Sequence, residues 1–213
     1  MVREIVKKGL VGLLFLFIAS CGDIGGSGQC GGAEGTGACL RIESVEPKYN
    51  EKKSSNVDTV RDICNFFEVK KNPADTEAKF ELFTDHSAEL TVSNKPLPGV
   101  RGEDISDITL VDYRLAYSQP NLCPSGANCP TSLTALQVAP GQTTVIPANG
   151  PVKFTLPFFQ ISSKDEYNVL GGSPNAYPSY TATYTIRGTD SFRNPVIITG
   201  SAEFTIGNYD YCT

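Results

Sequence analysis

The 213-residue chain has no tryptophan and one histidine, His86. A single histidine gives little from which to build a His-rich metal centre. No close CxxC pair supplies the thiolates of a structural zinc site. CxxCH is also absent, which removes the ordinary attachment of a c-type haem. A Ser–His–acid triad needs an activated serine beside the histidine, and no Gly-x-Ser-x-Gly elbow is present to supply one. Basic residues are few, 18 Lys+Arg against 23 Asp+Glu, and they form no cluster. Nucleic acid is therefore not an expected partner. Long apolar runs are missing too, with one exception, Leu10–Ile18. That run is much shorter than the ~20 residues of a membrane-spanning helix. The absences predict a protein without cofactor or metal and without catalytic machinery.

The exceptional run has a context. Arg3, Lys7 and Lys8 precede it, and Ile18-Ala19-Ser20-Cys21 follows it. A positive start, a short apolar core and small residues are the parts of a secretion signal. The last four residues resemble the bacterial lipobox. That resemblance implies cleavage before Cys21, a diacylglycerol on the Cys21 thiol and an acylated amine. Several acyl chains on one cysteine hold a protein to a bilayer where one chain holds only marginally. Gly22 follows the cysteine where an Asp would imply inner-membrane retention, so the resemblance implies an outer-membrane address. Loss of residues 1–20 leaves 15 Lys+Arg against 22 Asp+Glu, an acidic mature chain.

Residues 22–38 contain eight glycines among 17 residues and read as a flexible tether. Gly26-x-Gly28-x-x-Gly31 matches a dinucleotide-binding pattern formally. That pattern needs a strand before it and a helix after it, and neither is signalled here. Six cysteines remain beyond Cys21: Cys30, Cys39, Cys64, Cys123, Cys129 and Cys212. An even set in an exported protein reads as disulfides. The pair clearest from the sequence is Cys123–Cys129, whose Pro124-Ser125-Gly126-Ala127-Asn128 loop brings the two thiols together.

From residue 39 to 213 the chain reads as one domain of strands. Apolar and polar residues alternate at period two in Ala88–Asn94, Val152–Phe158, Tyr180–Ile186 and Val196–Ile206. Ile108–Tyr117 alternates as well, but its parity switches between Leu110 and Val111, which predicts a bulge. Pro157 marks its run as an edge strand or a strand terminus. Gly188–Asn194 is a turn-rich connection that makes the last two runs a hairpin. Leu40–Val45 and Val57–Cys64 are earlier candidates, the second without a clean apolar face. Helix signals are few: one short turn in Ser162–Leu170 and an ambiguous Thr76–Phe83.

About seven strands between Pro/Gly/Asn loops predict an all-β sandwich. Ser87–Asn94, Asp107–Ser118, Val152–Phe158 and Ser179–Ile206 resemble strands B, C, E, F and G of an immunoglobulin-like or fibronectin-III-like domain. The antibody-type hallmarks are missing, namely the Trp and the cysteines in B and F. Phe and Tyr are left to fill the core. The resemblance implies an early strand running parallel to the last one. On that basis Cys64 pairs with Cys212, and Cys30 with Cys39.

Few residues point to chemistry. His86 reads as a polar residue leading into a strand. Glu103, Asp104 and Asp107 offer oxygen ligands to Ca²⁺ but lack the dense spacing of a calcium loop, and they read as a solvated loop. Asp190 and Asn194 read as turn residues. The aromatics Tyr167, Tyr177 and Phe192 are assigned to loops, with Tyr209 and Tyr211 beyond the last strand. The first three are the binding candidates. The expectation is a non-catalytic envelope lipoprotein. It would be held to the bilayer by acylated Cys21 and act as a structural or protein-binding module for another envelope protein. A carbohydrate- or ligand-binding lipoprotein is the alternative, and a hydrolase comes behind both.

Overall fold

The computed structural model describes residues 37–62, 81–138 and 144–211. The lipobox, the tether up to residue 36, Cys30, Cys64 and Cys212 lie outside the described residues. The strands are β1 (Ala38–Tyr49), β2 (Lys52–Lys53), β3 (Asn56–Asp58), β4 (His86–Pro96) and β5 (Ile108–Tyr117). They continue with β6 (Leu136–Val138), β7 (Val145–Ile146), β8 (Pro151–Phe159), β9 (Ser179–Asp190) and β10 (Pro195–Gly207). One α-helix, α1 (Ile161–Val169), follows β8. Ten strands replace the expected seven because four of them are only two or three residues long.

The fold is an all-β sandwich. One sheet has the order β2-β1-β4-β8 and the other β3-β10-β9-β5-β6, with β7 also paired to β5. The runs likened to strands B and E therefore share one sheet, and those likened to C, F and G share the other. β3 runs parallel to β10, with Ile206 opposite Val57, as the resemblance implied for an early strand. The Val57–Cys64 candidate shortens to Asn56–Asp58. Val57 is buried, but Asp58 is buried beside it, so no alternation marks the strand.

Period-two alternation places the core. Leu40, Ile42, Leu90, Val92, Tyr113, Leu115, Tyr184, Ile186, Ile198 and Phe204 face inward from both sheets. The parity switch in β5 is a bulge: Leu110 pairs with Gly188 and Asp112 with Arg187. Val111 is the extra residue and is exposed. β8 is an edge strand of its sheet, and it carries a second irregularity, where His86 pairs with Phe159 and Ser87 with Pro157. That irregularity lets consecutive Phe158 and Phe159 both enter the core.

With no tryptophan available, the core centres on Phe204. The rings of Phe158, Phe159, Tyr180 and Tyr117 lie 5.2–5.9 Å from it. Two core-facing tyrosines find backbone acceptors: Tyr117 donates to Phe158 O and Tyr184 to Pro157 O, both at 2.6 Å. The two sheets approach closely at Gly200, where a Cβ would lie 2.7 Å from Ile42 Cγ2.

Strand directions define two ends. At one end lie the start of β1, the end of β4 (Ala38 pairs with Pro96), the start of β5 and the Asp190–Asn194 turn (Ile108 pairs with Asp190). Asn94 Nδ2, donating to Ser106 O, ties the two sheets there. At the opposite end lie Tyr49, His86, Tyr117, α1, the Cys123–Cys129 loop and the residues after β10. The described chain therefore begins at the first end, with the second end opposite it.

Candidate functional site

The end opposite the start of β1, the remote end, concentrates the unusual polar residues of the described structure. His86 opens β4, and it is not a solvated lead-in: it is buried and stacked on Tyr49 with ring centroids 4.4 Å apart. Tyr49 stacks in turn against Tyr211 at 4.4 Å, Tyr211 lies 6.4 Å from Tyr209, and Tyr209 meets Tyr177 at 5.2 Å. The result is a ladder of rings from the surface to the buried imidazole. Tyr49 also donates its hydroxyl to Leu82 O.

Below this ladder sits Lys164 of α1, 0% exposed. Its Nζ lies 4.1 Å from the Phe83 ring centroid and 5.7 Å from that of Tyr49. These cation–π contacts are its partners, because no hydrogen bond reaches Nζ among the described residues. Burial drives the Lys164 pKa down to about 8, against the pull of Asp58, Asp85 and Glu81. His86 is held down to about 3, first by burial and then by Lys164. Asp58 is pushed up to about 7, first by burial, with Glu81 adding to it. Desolvation disfavours the charged form of each group, so at neutral pH His86 is an uncharged imidazole.

The cluster is fastened on all sides. Asp58 Oδ1 accepts from Val60 N and Tyr209 N. Glu81 accepts from Asp62 N at 2.8 Å and from Tyr211 N at 3.2 Å, joining the chain after β3 to the chain after β10. Helix α1 is held by Asp85, which accepts from Ile161 N, by Glu166, which accepts from Thr134, and by Asn168, which donates to Thr59 O. Neither nitrogen of His86 has a hydrogen-bond partner among the described residues. Among the described residues no serine or carboxylate hydrogen-bonds the imidazole.

The three binding candidates separate. Tyr167 is not a loop residue: it lies on α1 and is fully buried. Its helix outlasts the expected single turn, and burial pushes its hydroxyl up to about 12. Tyr177 is half-exposed at the remote end; its hydroxyl donates to Asn208 O and its ring covers Gly207, where a Cβ would lie 2.3 Å from Cδ1. Phe192 sits at the opposite end on the β9–β10 turn and is 77% exposed. The turn is made by Asp190, whose carboxylate accepts from Phe192 N, Asn194 N and Asn194 Nδ2.

The acidic loop falls at the tether end. Glu103 pairs with Arg101 at 3.5 Å, and Asp107 accepts from Ala148 N. Among the described residues no three His, Cys, Asp or Glu side chains converge as metal ligands. Cys123–Cys129 is a disulfide with a Cα–Cα distance of 6.0 Å, and Cys39 is also disulfide-bonded.

Helix α1 carries a surface that the sequence concealed. It buries Ser163, Lys164 and Tyr167 and exposes Ile161 and Val169, with Leu170 exposed just beyond it. Asn128 Nδ2 donates to Leu170 O and Gly171 O, binding the disulfide loop to the end of the helix. Leu82, Leu122, Ile161, Val169, Leu170 and Tyr177 are all exposed at this one end.

No protein-family model matches the chain, and no curated protein matches it. An X-ray structure of a Northeast Structural Genomics Consortium target is similar at 14% identity, over 82% of this chain and 92% of that one, with a TM-score of 0.38. A likeness that distant informs neither mechanism nor partner.

Proposed function

We propose that the chain is a lipid-anchored, non-catalytic envelope protein with an outer-membrane address. In this reading residues 1–20 are removed, acylated Cys21 holds the bilayer, and residues 22–36 are the tether, ahead of β1. The domain from residue 39 is immunoglobulin-like. It offers its remote end to another envelope protein. One observation carries the binding role: exposed apolar side chains gather on the end that faces away from the tether. Leu122 is 61% exposed and Val169 is 86% exposed, and a concentration of apolar surface marks an interaction site more than scattered residues do. The rigid underlayer of α1, the disulfide loop and the aromatic ladder keeps that end in one shape, which lowers the ordering cost of association.

Site-specific photo-crosslinking in intact cells tests the reading. A photo-reactive residue at Leu122 or Val169 is expected to give one discrete protein adduct, and one at Val111, on the outer sheet face, is expected to give none. Equal adducts from all three sites, or none from the remote end, would contradict it.

A further inference from the structure

Phe192 does not belong to the remote end and needs its own account. It sits on the tip of the β9–β10 turn, 77% exposed. Exposing an aromatic ring to water is unfavourable, and this one is held out rigidly. Asp190, itself almost fully buried, takes three hydrogen bonds from the turn. Arg193 follows with φ +66, so the turn is closed in a left-handed conformation that few side chains adopt. The backbone of the tip is therefore fixed, with the Phe192 side chain exposed on it.

Its position adds a second observation. Strand pairing places the tip at the end where β1 begins, because Ile108 pairs with Asp190 and Ala38 pairs with Pro96. Exposed Val145 and Ile197 lie on the same half of the molecule. Arg193 is exposed at the tip, while Arg101 at the same end is paired with Glu103 of the acidic loop. Apolar side chains beside arginine suit the boundary between headgroups and acyl chains. Cys21 is sixteen residues before Gly37. A Gly-rich chain spans about 5–6 Å × √n, and with Cys30 bonded to Cys39 the free stretch from Cys21 to Cys30 reaches roughly 15–18 Å. A lipid on Cys21 thus keeps the tip close to the bilayer at high effective concentration.

We infer that the Phe192 tip is a second membrane contact, which inserts into the lipid interface and orients the tethered sandwich with its remote end outward. The inference rests on the proposed anchoring through Cys21. It makes the tether a leash for a docked domain, with the opposite end free for a partner.

The chain's lack of tryptophan provides the test. Full-length lipidated protein carrying Phe192→Trp, and a second carrying Val169→Trp at the remote end, are reconstituted into phosphatidylcholine vesicles. Vesicle flotation is measured first. The F192W emission is expected to shift to the blue on reconstitution and to be quenched by brominated phosphatidylcholine, with V169W unchanged. Vesicle-bound F192W protein with unshifted, unquenched emission overturns the membrane contact and leaves the anchor standing. Equal quenching at both positions overturns the orientation. Failure to float with vesicles overturns the Cys21 anchor, and the contact with it.

Discussion

At the scale of single residues, Lys164 is the position whose chemistry departs furthest from expectation. A fully buried ammonium without a hydrogen-bond partner among the described residues pays desolvation that two aromatic rings offset only in part. Its folded pKa of about 8 lies below the ordinary lysine value of 10.5. Between those two values the unfolded chain holds one more proton than the folded chain, so this group makes stability rise with pH across that window. Lys164→Met keeps the length of the side chain and removes the charge. The variant is expected to be more stable than the parent at pH 7 by about 1–3 kcal/mol, with the difference shrinking towards pH 10. Urea denaturation of both chains at pH 7, 8.5 and 10 measures it. A destabilised variant at pH 7, or a difference that does not change with pH, would show that the amine has a stabilising partner. The same cluster contains opposing acid-side effects. His86, lowered to about 3, costs stability as pH falls below 6.5, and Asp58, raised to about 7, loses its contribution as pH rises through 7.

At the scale of elements, the sequence was readable where side chains alternate and opaque where packing inverts. The β5 bulge was visible because Leu110 and Val111 break a strict alternation, and the pairing shifts there. The terminal hairpin was visible because β9 and β10 alternate for most of their length. Helix α1 was read as one turn because its pattern is inverted: Lys164 and Tyr167 face the core while Ile161 and Val169 face water. A reading by hydrophobic periodicity assigns such a stretch to a loop, which is how Tyr167 came to be a binding candidate. Strand β3 hid for a related reason, since Asp58 is buried next to Val57.

The pairing of β3 with β10 bears on the remaining cysteines. Both strands run the same way, and Glu81 binds the backbone amides of Asp62 and Tyr211. Those residues stand just before Cys64 and Cys212 in the sequence. On the proposed immunoglobulin-like reading, Cys64 pairs with Cys212 and Cys30 with Cys39. Proteolysis without reduction, followed by peptide mapping, is expected to yield both linked pairs; a Cys30–Cys64 peptide would overturn the assignment.

At the scale of the whole molecule, the described structure has two ends of different character. The end at which β1 begins carries the presented Phe192 and the Asp190 turn. The other carries a sealed polar cluster beneath a collar of exposed apolar residues. No contiguous motif records that polarity. It emerges only when strand directions bring Tyr49, His86, α1 and the residues after β10 to one place. On the proposed anchoring through Cys21, the end at which β1 begins is the end nearest the bilayer.

The account stands most directly on the chemistry of Cys21. Mass spectrometry of the mature protein, extracted from membranes of the cells that make it, measures that chemistry. The predicted result is an N-terminal peptide beginning at Cys21, with a diacylglycerol on the thiol and an acyl chain on the amine. A mature chain that begins elsewhere, or a Cys21 recovered as a free thiol or in a disulfide, would contradict it.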